Sequence, residues 1–131
     1  MLKDIPQLKA TGIAMAVIRD EEEDEWVAYI LNLKENPVQK LMITSKGYGE
    51  IDGEKKETSQ LRYYVENMEA RNYYRLELIS EEVLVLNNEF MIIYYDGDHM
   101  YDRKFIFLPD SIRPENFTSI PILNKKGILI M

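Results

Sequence analysis

Apolar residues along this chain fall in short runs broken by clusters of Gly, Pro, Asn, Asp and charged residues, a rhythm that predicts strands rather than long helices. Residues 11–18 make the first run and 26–33 the second, which is apolar on both faces and so predicts a central strand. Between them, Glu-Glu-Glu-Asp-Glu at 21–25 is a solvated loop, because like charges in a row repel and resist burial. Pro37 lacks an N–H and pushes Asn36 away from helical geometry, so 34–37 turns the chain into a third strand at 38–45. Gly47, Gly49 and Gly53 then predict a loop or tight hairpin.

One short helix is expected next. Thr58 or Ser59 supplies its N-cap, and Leu61, Tyr64, Val65 and Met68 fall on one face at helical spacing. Residues 73–79 alternate as a half-buried strand, with Tyr74, Leu76 and Leu78 inward and Tyr73, Arg75, Glu77 and Ile79 on the other face. The strongest local signal is a hairpin: the β-rich runs 90–95 and 100–108 flank Asp96-Gly97-Asp98-His99. Pro109, Pro114 and Pro121 punctuate the remainder, and the apolar end at 127–131 must pair within a sheet or cover a partner. About seven short strands, one short helix and no alternating βα rhythm predict a mainly β fold. An immunoglobulin-like antiparallel β-sandwich is expected, with a small β-barrel as the alternative.

Composition narrows this further. A length of 131 residues predicts a single domain spanning 1–131, and 46% hydrophobic with 11% aromatic residues is enough for a core. There is no cysteine and one histidine, which excludes disulfides, thiolate metal sites and multi-histidine zinc sites within one chain. Sixteen basic against 23 acidic residues give a net charge of −7, which repels phosphate backbones and anionic headgroups. Neither nucleic acid nor membrane is therefore an expected partner, and Lys55-Lys56, Arg103-Lys104 and Lys125-Lys126 read as solubilising charges. The first residues carry Asp4 and Pro6 without an apolar core, unlike a signal peptide, and no apolar run approaches the roughly 20 residues of a membrane helix. The expected setting is the cytoplasm.

Candidate chemistry is sparse. Asp96, Asp98 and His99 form the densest group of potential metal ligands, but Phe107 stands where an EF-hand loop would end on glutamate, and Asp-Gly is what a hairpin turn prefers. No nucleophile elbow accompanies His99, and the glycines at 47, 49 and 53 do not match a phosphate-binding spacing, so no catalytic residue and no cofactor is expected. The nine tyrosines stand out. Several are adjacent pairs, and neighbours on a strand face opposite ways, so some rings must lie outside. Trp26, Tyr48, Tyr63, Tyr73 and Tyr94 are the candidate recognition residues. A non-enzymatic binding or protein-interaction module is the expectation, meeting another protein or a second copy through a sheet edge or a tyrosine face. The alternative is a small enzyme or metal-binding protein using Asp96, Asp98 and His99.

The stretches 29–37 (Tyr-Ile-Leu-Asn-Leu-Lys-Glu-Asn-Pro), 45–50 (Ser-Lys-Gly-Tyr-Gly-Glu), Thr58-Ser59, 86–89 (Leu-Asn-Asn-Glu) and 123–127 (Leu-Asn-Lys-Lys-Gly) resemble a family of short bacterial proteins of unknown function, of the kind found in Bacteroidetes. The similarity spans nearly the whole chain and implies no activity. Some relatives carry a phenylalanyl-tRNA synthetase label, which this chain does not support, being too short for a class II catalytic core and lacking its arginine-bearing motifs.

Overall fold

A computed structural model describes residues 12–131 together with the two-residue strand Leu8–Lys9. Eleven strands follow in order among the described residues: β1 (Leu8–Lys9), β2 (Ile13–Asp20), β3 (Glu25–Asn32), β4 (Val38–Ile51), β5 (Glu54–Glu57) and β6 (Leu61–Met68). After them come β7 (Asn72–Ile79), β8 (Asn87–Asp96), β9 (His99–Phe107), β10 (Thr118–Ile120) and β11 (Lys125–Ile130). They form two sheets. One runs β1-β9-β8-β4, and the far side of β4 is shared by β6 along its first half and β5 along its end; the other runs β10-β11-β2-β3-β7. All pairings are antiparallel except β1 with β9, and neither sheet closes on itself, so the molecule is a sandwich and not a barrel.

Period-two alternation builds the layer between the sheets. Ile13, Met15 and Val17 of β2 and Trp26, Ala28 and Ile30 of β3 face Leu41 and Ile43 of β4, Phe90, Ile92 and Tyr94 of β8, and Phe105 and Phe107 of β9. The intervening residues of β2 and β3 are buried too. Ala14, Ala16, Ile18 and Leu31 join Ile120 in a smaller cluster on the opposite face, against which Leu123 and Leu129 pack. That is why 26–33 reads as apolar on both faces. The first expected strand proves to be Ile13–Asp20, and Thr11, assigned to it from sequence, lies outside the described residues. The C-terminal run is accommodated as β11, between β10 and β2.

Three expectations are corrected. The helix near Leu61 is β6, antiparallel to β4. Leu61, Tyr63 and Val65 oppose the inward residues Ser45, Ile43 and Leu41, so the strand alternates there; then Val38 opposes Met68. Lys40, at φ 52°, kinks β4 between Val38 and Leu41, and the partner strand follows with two outward residues, Glu66 and Asn67. This kink makes Val65 and Met68 both buried three residues apart, which imitates helical spacing, while Tyr64 points outward at 56% exposure.

The loop or tight hairpin expected at 47–53 is a hairpin and is corrected only in extent: β4 continues to Ile51, turns at Asp52-Gly53, both at positive φ, and pairs back with β5. Gly47 answers to a close approach instead. Its N–H donates to Thr58 Oγ1 at 2.7 Å, and a Cβ there would meet Thr58 Cγ2 at 3.0 Å and Val83 Cγ1 at 3.2 Å.

The inward face of β7 changes halfway. Ala28 opposes Glu77 but Tyr29 opposes Arg75, so Leu76 is an extra residue, a β-bulge that inverts the alternation beyond it. Leu76 packs against the core as expected, but Tyr74 is exposed at 45%, Leu78 turns out to solvent at 51% exposure and Ile79 is buried. Glu77 turns inward with Ile79.

Candidate functional site

The two sheets are tied at one end and part at the other. At the tied end Asn32 is fully buried, and its amide nitrogen donates to the carbonyls of Asn36 (3.1 Å), Met68 (3.3 Å) and Glu69 (3.1 Å) while Oδ1 accepts from the Lys34 N–H. One side chain thus joins the β3–β4 turn to the β6–β7 turn. From that joint β6 and β7 diverge, and their far ends wall a cleft of about 510 Å³.

Sheet one contributes Ser45 and Gly47 from β4 and Leu61 from β6; sheet two contributes Trp26 from β3 and Glu77, Leu78 and Ile79 from β7. Val83 and Asn88 also line it, and Asn88 Nδ2 donates to the carbonyls of Val83 (3.0 Å) and Leu86 (3.2 Å) and so holds the 3-10 turn Glu81–Val83 in place. Thr58 and Ser59, expected to cap a helix, line the cleft instead.

Glu77 is its chemically distinctive group. Burial pushes its carboxyl above the usual carboxylate range, and the facing hydroxyls of Ser45 and Tyr63 offset this only in part. Its Oε1 is shielded from solvent and has no hydrogen-bond partner. The Tyr63 hydroxyl is raised in turn, by its own burial and then by the Glu77 charge. Holding a carboxylate half out of water beside apolar walls is costly, and it marks a place where a cationic or N–H-bearing group is favoured.

The residues singled out from sequence are scattered. Trp26 is buried at 7% exposure, edge-on to Phe117 and beneath the Arg19 guanidinium, so it reaches a ligand only through the cleft. Tyr94 is wholly inside, stacked on Tyr101 at 5.3 Å, with burial pushing its hydroxyl up to about 12. Both are thereby removed from any surface patch. Tyr63 packs half-buried against the core, and Tyr48 lies on the outer face of sheet one, donating to Glu89 at 3.1 Å. Only Tyr73 is well exposed, at 43%, edge-on to Tyr29.

Asp96, Asp98 and His99 do form the hairpin turn, with Gly97 at φ 63°. Asp96 Oδ2 accepts from Lys34 Nζ at 2.5 Å and Asn36 Nδ2 at 2.9 Å, which holds its carboxyl below the usual range. It is a latch between the β3–β4 turn and the β8–β9 hairpin. No group of three or more His, Asp or Glu is disposed to hold a metal ion among the described residues. No helix among them is long and apolar enough to cross a membrane.

Sequence reasoning missed Glu77, Ser45 and the cleft itself. Compared with protein-family models, curated proteins and solved structures, the chain matches none.

Proposed function

We propose that the protein is a non-enzymatic binding module whose binding site is the cleft between the diverging ends of β6 and β7. A cavity of about 510 Å³ in which the half-buried Glu77 carboxylate meets apolar walls carries this reading, because that volume suits a small molecule and a polar group is set among apolar ones there. Binding is preferred to catalysis because the cleft gathers carboxylates with hydroxyl and apolar groups, while the imidazole of His99 belongs to the hairpin turn and is not among its lining residues. Resemblance to short bacterial proteins supports a bacterial cytoplasmic setting. Two-sheet layering and hairpin connections support an immunoglobulin-like relationship.

The test is a nuclear magnetic resonance titration of labelled protein with neutral, cationic and anionic fragment-sized molecules. We expect shifts concentrated on Ser45, Thr58, Leu61 and Ile79. Shifts scattered over the surface, or none with any fragment at millimolar concentration, overturn the reading.

A second reading is favoured by one observation. Among the described residues the outer edge of β7 pairs with no strand along its eight residues and presents Tyr73, Tyr74 and Leu78, each more than two-fifths exposed. Such an edge is a template for a further strand, here from a second copy of the chain.

A further inference from the structure

The cleft also indicates the chemistry of its occupant. Its lining includes the carboxylates of Asp24, Glu25, Glu77 and Glu81, four in all, and one basic side chain, Lys46. Lys46 does not neutralise them. It alternates with the inward Ser45 and Gly47, and its ammonium lies 3.8 Å from Glu89 and over the Tyr48 ring, on the outer face of sheet one. Arg19 serves the rim, pairing with Asp24 and, at 3.5 Å, with Glu81, and it reaches neither Glu25 nor Glu77 by an ion pair among the described residues. Glu25 and Glu77, both half-buried, are therefore left without an ion-pair partner among the described residues. Around it the walls are apolar: Trp26, Phe90, Leu61, Ile79 and Val83.

A cavity that combines apolar walls, an acidic mouth and a half-buried carboxylate without an ion-pair partner among the described residues complements an organic cation with N–H donors. It repels an anion, and a neutral alcohol gives it less than an ammonium does. Resting on the cleft as the binding site, we propose that the natural ligand is a small, partly apolar amine, whose ammonium group enters the cleft and pairs with the Glu77 carboxylate while its carbon skeleton packs against Leu61, Ile79 and Val83. The hydroxyl of Ser45 completes the polar end. A divalent metal ion is disfavoured, because no three of these carboxylates are disposed to hold one among the described residues.

Three probes of one shape separate the possibilities: phenethylamine, 2-phenylethanol and phenylacetate, each titrated into the full chain at neutral pH with amide shifts as the readout. Phenethylamine should shift Ser45, Leu61, Glu77 and Ile79 and bind at least tenfold more tightly than 2-phenylethanol, with phenylacetate weakest. Glu77→Gln keeps the shape and removes the charge, and should weaken the amine roughly ten- to a hundredfold while leaving the alcohol unchanged. Leu61→Arg, at the exposed mouth, should abolish amine binding even if Glu77→Gln proves poorly folded. Equal binding of amine and alcohol at the cleft, or full affinity in Glu77→Gln, overturns the cationic ligand and leaves the cleft as the binding site. Silence from all three probes overturns both. Amine shifts confined to the outer acidic loop at 21–24 overturn the proposal by showing surface charge attraction only.

Discussion

At the scale of single residues, two buried polar groups make opposite predictions. Asn32 is fully satisfied, so replacing it strands three carbonyls in a dry site: Asn32→Leu should cost about 2–4 kcal/mol, read as a lower urea midpoint with an unchanged slope. Glu77 is unsatisfied, and its pKa is raised on folding. Near about pH 3 the carboxyl is protonated whether folded or unfolded, so it contributes nothing to the pH dependence. As pH rises through the ordinary carboxylate range the unfolded chain releases its proton first, and folding is progressively penalised until the folded group ionises too. Glu77→Gln removes that penalty. Relative to the parent it should gain stability between about pH 4 and pH 7, and a gap that is flat with pH would show that Glu77 ionises as easily inside as out. Asp96 runs the other way: its lowered pKa contributes stability above the unfolded value that is lost on acidification, so Asp96→Asn should narrow its deficit as pH falls. Neither Asn32 nor Glu77 is conspicuous in the sequence, where one reads as a strand end and the other as the polar side of an alternating strand.

At the scale of elements, alternation is what the chain spells most clearly. The β8–β9 hairpin, the doubly buried β3 and the turn at 21–24 were all legible, because each follows from local period and turn chemistry. What was not legible are the places where alternation breaks. The kink at Lys40 turned β6 into an apparent helical face, and the bulge at Leu76 exchanged Leu78 for Glu77 on the inside. Both breaks are imposed by pairing with a neighbouring strand, and no local propensity reports them.

Glycine shows the same division. Gly97 was read correctly as a turn residue with open space around it, whereas Gly127 looks unremarkable and yet a Cβ there would lie 2.4 Å from the Val17 carbonyl oxygen. Gly127→Ala should therefore destabilise more than Gly97→Ala, which meets only the strain of φ 63° at about 1 kcal/mol, and thermal melts of the two variants give the comparison. The unpaired edge of β7 yields a prediction of the same kind. Sedimentation at rising concentration should show the mass climbing toward twice that of one chain, and Leu78→Lys should hold it at one; a constant mass removes β7 as a pairing edge.

At the scale of the whole molecule, the sandwich has unequal ends, and its motions should follow. Asn32 and the Asp96 latch supply satisfied polar groups, and the stacked Tyr94–Tyr101 pair supplies aromatic packing, where β6 and β7 meet. At the other end the same strands part around a cavity that leaves Leu61 and Leu78 exposed. Local opening is cheapest where few apolar contacts are lost, so amide exchange should be graded and not uniform. The slowest amides should lie in β2, β3 and the middle of β8, which are buried along most of their length, and their exchange should track global unfolding as urea rises. The wholly exposed β5 and the residues 77–79 and 58–61 at the cleft should exchange through local openings that urea scarcely affects. A cleft ligand binds only where these walls are in place, so its addition should slow 58–61 and 77–79 selectively and leave β5 as fast as before. Exchange at 77–79 already as slow as in β3 would mean that the bulged end of β7 is as firmly held as the core. The cleft would then be a rigid, preformed pocket, and the binding energy of a ligand would go into contact alone instead of partly into ordering its walls.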